Sequence, residues 1–143
     1  MKSSSMASGP SWDDVLAHRP PETRGPVRER FESVGVTPAQ VQEVLEDGGD
    51  RLHQASSSGT ADWATPYGGL LAVALLAAEV GALTAHLTSR SSQVRALAVE
   101  NLLDDFSAVA VAGRLGVSRQ KVYDIARADT TKDFIDRVPW RMP

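Results

Sequence analysis

Apolar side chains recur at helical spacing along the N-terminal half of the chain, and capping residues mark where the predicted helices begin. Ser11 starts the capping pattern of a short helix that runs to about His18 and is ended by Pro20. A second helix is predicted to begin at Pro26, with apolar positions Val27, Phe31 and Val34. Thr37 caps a third helix, with apolar positions Val41, Val44 and Leu45.

The most apolar stretch, Leu70 to Leu87, predicts a long buried helix with two apolar faces. One face is bulky (Leu76, Val80, Leu83 and Leu87), and the other is small (Ala74, Ala77, Ala78, Gly81 and Ala85). Such a helix needs cover on both faces, either from the rest of the chain or from a second copy. The stretch is just long enough to span a bilayer. Glu79 at its centre and the lack of flanking aromatic belts or basic clusters favour a buried central helix.

After Ser91-Ser92, another amphipathic helix is predicted to end near Asp105, with one face formed by Val94, Leu97, Ala98, Asn101 and Leu102. Ser107 caps the next helix, Ala108 to Leu115, whose predicted packing face is Val109, Val111, Ala112 and Leu115. Gly116 permits a tight turn and Ser118 caps a last helix with Val122, Ile125 and Ala126 facing inward. This order predicts a helix-turn-helix.

The pattern as a whole predicts an all-α fold, a helical bundle with a long central helix and a C-terminal tri-helical helix-turn-helix. The low aromatic content, 6%, agrees with closely packed helices rather than a β-sandwich. Ser56 to Thr60 lacks apolar anchors and is the clearest linker. The predicted division is a flexible N-terminal arm (1–25), a helical hairpin module (26–60), the central helix (61–90) and the helix-turn-helix domain (91–143). Its tail carries Phe134, Ile135, Val138 and Trp140 and is predicted to cover the last helix.

Composition argues against most kinds of active site. The absence of cysteine excludes disulfides, thiol nucleophiles and cysteine-based zinc sites. The histidines (His18, His53 and His86) have no metal-ligand spacing, and the glycine pairs lack the lysine of a phosphate-binding loop. We therefore expect no catalytic residues, no metal site and no cofactor, and the chain is not expected to be an enzyme. The N-terminus has no apolar segment of a signal peptide.

The net charge of −3 argues against a protein that coats nucleic acid non-specifically. Residues 1–59 carry 6 basic and 9 acidic side chains, which is −3, whereas residues 118–143 carry 6 and 4, which is +2. Contact with DNA is therefore expected to be local and to lie late in the chain.

The segment Val111 to Arg127, VAGRLGVSRQKVYDIAR, resembles the helix-turn-helix of bacterial regulators and of resolvase and invertase DNA-binding domains. It shares their small residue in the first helix, the Leu-Gly-Val-Ser turn and the Val-Tyr pair after it. The resemblance implies that the first exposed residues of the last helix read bases: Arg119, Gln120 and Asp124, with Lys121 at the groove edge. It implies backbone contacts by Ser118, Tyr123 and Arg127, joined by Ser107 and Arg114.

The residue chemistry agrees with these roles. Arginine can donate two hydrogen bonds to guanine and glutamine can pair with adenine, each good contact being worth about 1 to 3 kcal/mol of discrimination. For Asp124 two interpretations stay open: it accepts from cytosine, or it pairs with Lys121 or Arg127 on its own helix.

A weaker version of the same pattern occurs earlier in the chain. Gly35 to Val44 aligns with Gly116 to Ile125 in the Gly-Val-hydroxyl turn and in the buried positions. The outward residues of the earlier segment, Pro38, Ala39, Gln42, Glu43 and Glu46, include no basic side chain, so phosphate would be repelled. A hairpin for packing or partner binding is favoured over a second DNA-binding unit, and chance similarity between two capped helical hairpins is the remaining alternative.

These patterns predict a sequence-specific, double-stranded DNA-binding transcriptional regulator, most simply a repressor, in the bacterial cytoplasm at the nucleoid. A homodimer through the central helix is a further expectation, and no membrane association is expected. The alternative is a protein-interaction module, antitoxin-like or anti-sigma-like, that keeps the helix-turn-helix fold without reading DNA. Its protein partner would then meet the acidic N-terminal module.

Overall fold

Helices supply the regular structure of residues 9–127, the part of the chain that this computed structural model describes. They are α1 (Trp12–Val15), α2 (Pro21–Ser33), α3 (Pro38–Glu46), α4 (Asp50–Ser56), α5 (Leu70–Asp105), α6 (Ala108–Leu115) and α7 (Arg119–Ala126), with a 3-10 turn at Thr65–Tyr67. The all-α fold and the long central helix are confirmed. The chain divides into two units, and within residues 9–127 unit 1 ends at His86 and unit 2 begins at Leu87.

The segment predicted as a flexible arm contains the short helix expected within it, α1, and packs against the rest of unit 1. Ser11 caps α1 as predicted, and the side chains that follow it are fully buried: Val15, Leu16 and Ala17. The predicted start of the second helix at Pro26 is wrong, since α2 begins at Pro21. Proline suits a first helical position because its fixed φ is helical and its missing N–H would have no partner there. Pro20-Pro21 therefore opens α2 instead of ending the segment.

Unit 1 has a core formed by α1, α2, α3, α4 and the first part of α5. Phe31 is 1% exposed and stacks on Trp12 with ring centroids 5.8 Å apart. The spacing of apolar side chains does not predict α4, because Leu52 is its one buried residue. Gly49 has φ +80° and is the N-cap of α4, and the Asp47 carboxylate accepts hydrogen bonds from the backbone N–H of Gly49 and Arg51.

The earlier copy of the turn pattern has the same local geometry as the later one. Gly35 has φ +76° and Gly116 has φ +72°, and a hydroxyl residue two positions later caps the following helix in both cases. The apolar residues at matching positions are buried in both copies: Val41 and Val44 in α3, Val122 and Ile125 in α7.

One continuous helix, α5, replaces the two helices predicted on either side of Ser91-Ser92. The Ser91 hydroxyl donates to the Thr88 carbonyl at 3.0 Å, so the side chain is accommodated within the helix instead of breaking it. The bulky stripe is buried at Leu76 and Leu83. The small stripe is exposed, so within the described residues the chain itself does not cover it, and the predicted cover by a second copy stays a prediction: Ala74, Ala77, Ala78, Gly81 and Ala85.

Unit 2 packs α6 and α7 against the last turns of α5. Its core consists of Val99, Ala108, Val111, Ala112, Val122 and Ile125, with Leu103, Val117 and Ala126 at its edge. Two of the predicted packing residues of α6 are on the surface, Val109 at 65% and Leu115 at 44% exposed. The predicted face of the preceding helix is also exposed, because α5 turns Ala96, Val99 and Leu103 inward instead. The bulkiest apolar face of this segment is thus not the buried one.

The turn between α6 and α7 gives a direct test of the fold of unit 2. A Cβ added at Gly116 or at Gly113 would meet no atom within 4 Å, but only Gly116 has a positive φ. Gly116→Ala is therefore expected to lower the free energy of unfolding by about 1 to 2 kcal/mol through backbone strain alone. Gly113→Ala, the matched control within α6, is expected to raise it by about 0.5 to 1 kcal/mol. Chemical denaturation of both variants checks the pair, and equal effects would contradict the assigned turn.

Candidate nucleic-acid interface

The helix-turn-helix is fixed by two capped helices around a left-handed glycine. Ser107 caps α6 by accepting from the backbone N–H of Ala110 at 3.1 Å, and Ser118 caps α7 by accepting from that of Lys121 at 3.0 Å. Gly116 ends α6 in the left-handed region, and Val117 turns back against the core. With Val122 and Ile125 buried, the opposite side of α7 faces outward.

All nine residues predicted to meet DNA lie in this motif and are exposed. The proposed base-reading set is Arg119, Gln120, Lys121 and Asp124, and the proposed backbone set is Ser107, Arg114, Ser118, Tyr123 and Arg127. Tyr123 is 41% exposed. Both serine hydroxyls use an oxygen lone pair for the cap, which leaves each O–H able to donate to a phosphate oxygen.

Asp124 is engaged by side chains of its own helix. It accepts from Arg127 Nη2 at 2.7 Å and from Gln120 Nε2 at 3.1 Å, both through Oδ1. Of the two interpretations left open by the sequence, the structure therefore contains the helix pair, and the partner is Arg127 and not Lys121. Asp124 holds the Gln120 amide in place and offsets the charge of Arg127.

Arg119 and Lys121 differ from these two residues, since neither forms an ion pair or a side-chain hydrogen bond within residues 9–127. Both stand in the first turn of α7, the part of a reading helix that approaches base edges. Residues 107–127 carry four basic side chains and one acidic, a local +3 in a chain of net −3. The motif is thus a positive segment of a negative protein, as local contact with phosphate requires.

A buried polar cluster in unit 1 was missed by sequence reasoning. Glu79 of α5 is 1% exposed and contacts His18 Nε2 through Oε2 at 2.5 Å. Arg19 donates two hydrogen bonds to the same carboxylate, from Nε to Oε2 at 2.7 Å and from Nη2 to Oε1 at 3.0 Å. The ring of His86 lies edge-on to that of His18, with centroids 6.4 Å apart. The cluster ties the segment after α1 to α5.

Burial alone raises the pKa of Glu79, but the hydrogen bonds and charge of His18 and Arg19 outweigh it and hold the pKa below its usual value of 4.5. The carboxylate is therefore charged at neutral pH and is paired inside unit 1. The sequence signal was present, because Glu79 is the one acidic residue in the apolar run from Leu70 to Leu87. Its partners, sixty residues away, could not be identified from spacing.

In the described part of the chain, α5 is the one helix that is long and apolar enough to cross a membrane, judged by length and composition. A span centred on Glu79 would have to separate that carboxylate from Arg19 and His18.

No group of three or more metal-ligating side chains occurs among residues 9–127. Comparisons of the chain with protein-family models, with curated proteins and with solved structures returned no match.

Proposed function

We propose that the protein binds duplex DNA sequence-specifically through the exposed side of α7 and acts as a transcriptional regulator. The observation that supports this most strongly is that the basic side chains in the first turn of α7 form no ion pair within residues 9–127. Arg119 and Lys121 are exposed and are not engaged by any described acidic residue, whereas the carboxylate nearby is already satisfied by Arg127. Such donors are available to guanine edges or to phosphates without losing a partner in the free protein.

The arrangement also supplies the contacts that hold a reading helix in register. Ser107 and Ser118 stand at the N-termini of α6 and α7, where free backbone N–H groups and the helix dipole favour a phosphate. Tyr123 and Arg127 lie further along the exposed side of α7 and are assigned to the sugar-phosphate backbone. Together they would fix the orientation of α7, and the residues of its first turn would supply the specificity.

The test is selection of bound sequences from a library of duplexes with a randomised centre, at several salt concentrations. We expect enrichment of a defined motif, with affinity that falls as salt rises because phosphate contacts release counterions. Binding without enrichment of any sequence would contradict base readout. No binding at low salt would overturn the proposal altogether and favour a protein-interaction module.

A further inference from the structure

The exposed side of α5 in unit 2 carries several large apolar side chains that are open to solvent. Val94 is 67%, Leu97 58% and Leu102 39% exposed, and they share one helix face with exposed Ala98 and Asn101. We call these five residues the α5 stripe. The core of unit 2 lies on the other side of α5, towards Val99, so the described part of unit 2 does not cover the stripe.

The stripe continues into a groove of about 500 Å³ through Leu102, which lines both. The other residues of the groove are Phe106, Ala110, Val111, Arg114 and Leu115. Together with Val109, the large apolar residues of the stripe and groove expose a surface equal to roughly three whole apolar residues. An apolar patch of this kind marks an interaction surface.

The charges beside the stripe are divided by sign along the helix. Arg90 and Arg95 lie towards the N-terminal end of the stripe, and Glu100, Asp104 and Asp105 lie towards its C-terminal end. None of the five forms an ion pair within residues 9–127. A second α5 running in the opposite direction would place basic against acidic halves, whereas a parallel one would place like charges together. The surface is therefore complementary to a copy of itself.

We propose that the α5 stripe pairs with the α5 stripe of a second copy to form an antiparallel, two-fold homodimer. In the register that matches the charges, Val94 lies opposite the partner's Asn101 and Leu97 lies opposite the partner's Ala98. Arg90 then reaches the partner's Asp104 and Asp105. This places the interface in the C-terminal half of α5 and not in the stretch 61–90, where the sequence predicted it. The proposal does not depend on DNA binding.

The first test is the mass of the full chain in solution over a wide concentration range, by sedimentation equilibrium. We expect a reversible dimer, and we expect Leu97→Glu to weaken association by about tenfold or more because it places two carboxylates near the two-fold axis. Leu71→Glu is the matched control, since Leu71 is 63% exposed on the same helix but outside the stripe. It should leave association unchanged, and circular dichroism should show both variants folded.

The second test separates the two orientations and uses the absence of cysteine from the chain. Mixing Val94→Cys with Asn101→Cys should give a disulfide-linked dimer under mild oxidation. Val94→Cys alone should not link, because two copies of that position would be offset by about 10 Å along the helices, beyond the ~7 Å that a disulfide spans between Cα atoms.

Each remaining outcome overturns the proposal. Linking of Val94→Cys with itself in preference to the mixture would indicate a parallel pair. A chain that stays monomeric at every concentration would indicate that residues 128–143 or a different protein cover the stripe. Equal weakening by Leu97→Glu and Leu71→Glu would place the contact elsewhere.

Discussion

Arg119→Ala is expected to weaken binding to the selected duplex by about 5- to 150-fold, the equivalent of the 1 to 3 kcal/mol that one bidentate base contact contributes. The loss is expected because Arg119 stands exposed in the first turn of α7 and makes no ion pair within the described residues, so alanine removes a contact to DNA and none to the protein. Preference at one position of the motif should also relax, and titration against matched and single-substituted duplexes measures both effects.

Arg51→Ala is the matched control for that experiment. Arg51 is an exposed arginine of unit 1 whose substitution changes the net charge by the same amount. It should leave affinity within about twofold, since Arg51 lies outside the helix-turn-helix and pairs with Asp47, and salt screens an exposed charge that does not contact the DNA. If Arg51→Ala and Arg119→Ala weaken binding equally, binding depends on net charge and the proposed role of Arg119 is wrong.

Glu79→Ala is expected to lower the free energy of unfolding of unit 1 by about 3 to 5 kcal/mol, because removal of one partner from a buried ion pair leaves the other uncompensated. His18 would keep its buried ring without a carboxylate, and Arg19 would lose both of its hydrogen bonds to Glu79. Glu32→Gln is the control, since it breaks an exposed pair with Arg28 and should cost about 0.5 kcal/mol or less. Denaturant titration of a probe in unit 1 gives the values, and similar losses for both variants would refute the buried cluster.

The same cluster predicts the direction of a pH effect. The pKa of Glu79 is lower in the folded chain than its usual value of 4.5, so its stabilising contribution is present above that value and is lost as pH falls through the folded pKa. The difference in unfolding free energy between wild type and Glu79→Gln should therefore shrink as the pH is lowered below 4.5. A difference that grows in acid would have the wrong sign for a carboxylate stabilised in its charged form.

The part of the fold that sequence predicted well depends on local rules. Caps and glycine turns are decided within a few residues, which is why Ser107, Gly116 and Ser118 could be assigned correctly. The inward positions Val122 and Ile125 follow from helical spacing on a short helix with one apolar side. The candidate site lies in the same segment, so its local geometry could also be predicted from the sequence.

The features that sequence failed to predict depend on partners distant along the chain. Spacing identifies the apolar face of α5 but not which side the rest of the chain covers, and the bulkier face around Val94 and Leu97 is the exposed one. The pairing of Glu79 with His18 and Arg19 depends on a packing of α5 that no local pattern encodes. The tail predicted to cover the last helix, with Phe134 and Trp140, lies outside the described residues.

The most direct test of DNA reading by α7 is an amide NMR titration of the full chain, labelled with nitrogen-15, with the selected duplex. We predict that the largest shifts fall on residues 118–127 and on Ser107, with the amides of α2 and α3 unchanged. Largest shifts in α2 and α3, or none in α7 at saturating duplex, would contradict the proposed interface.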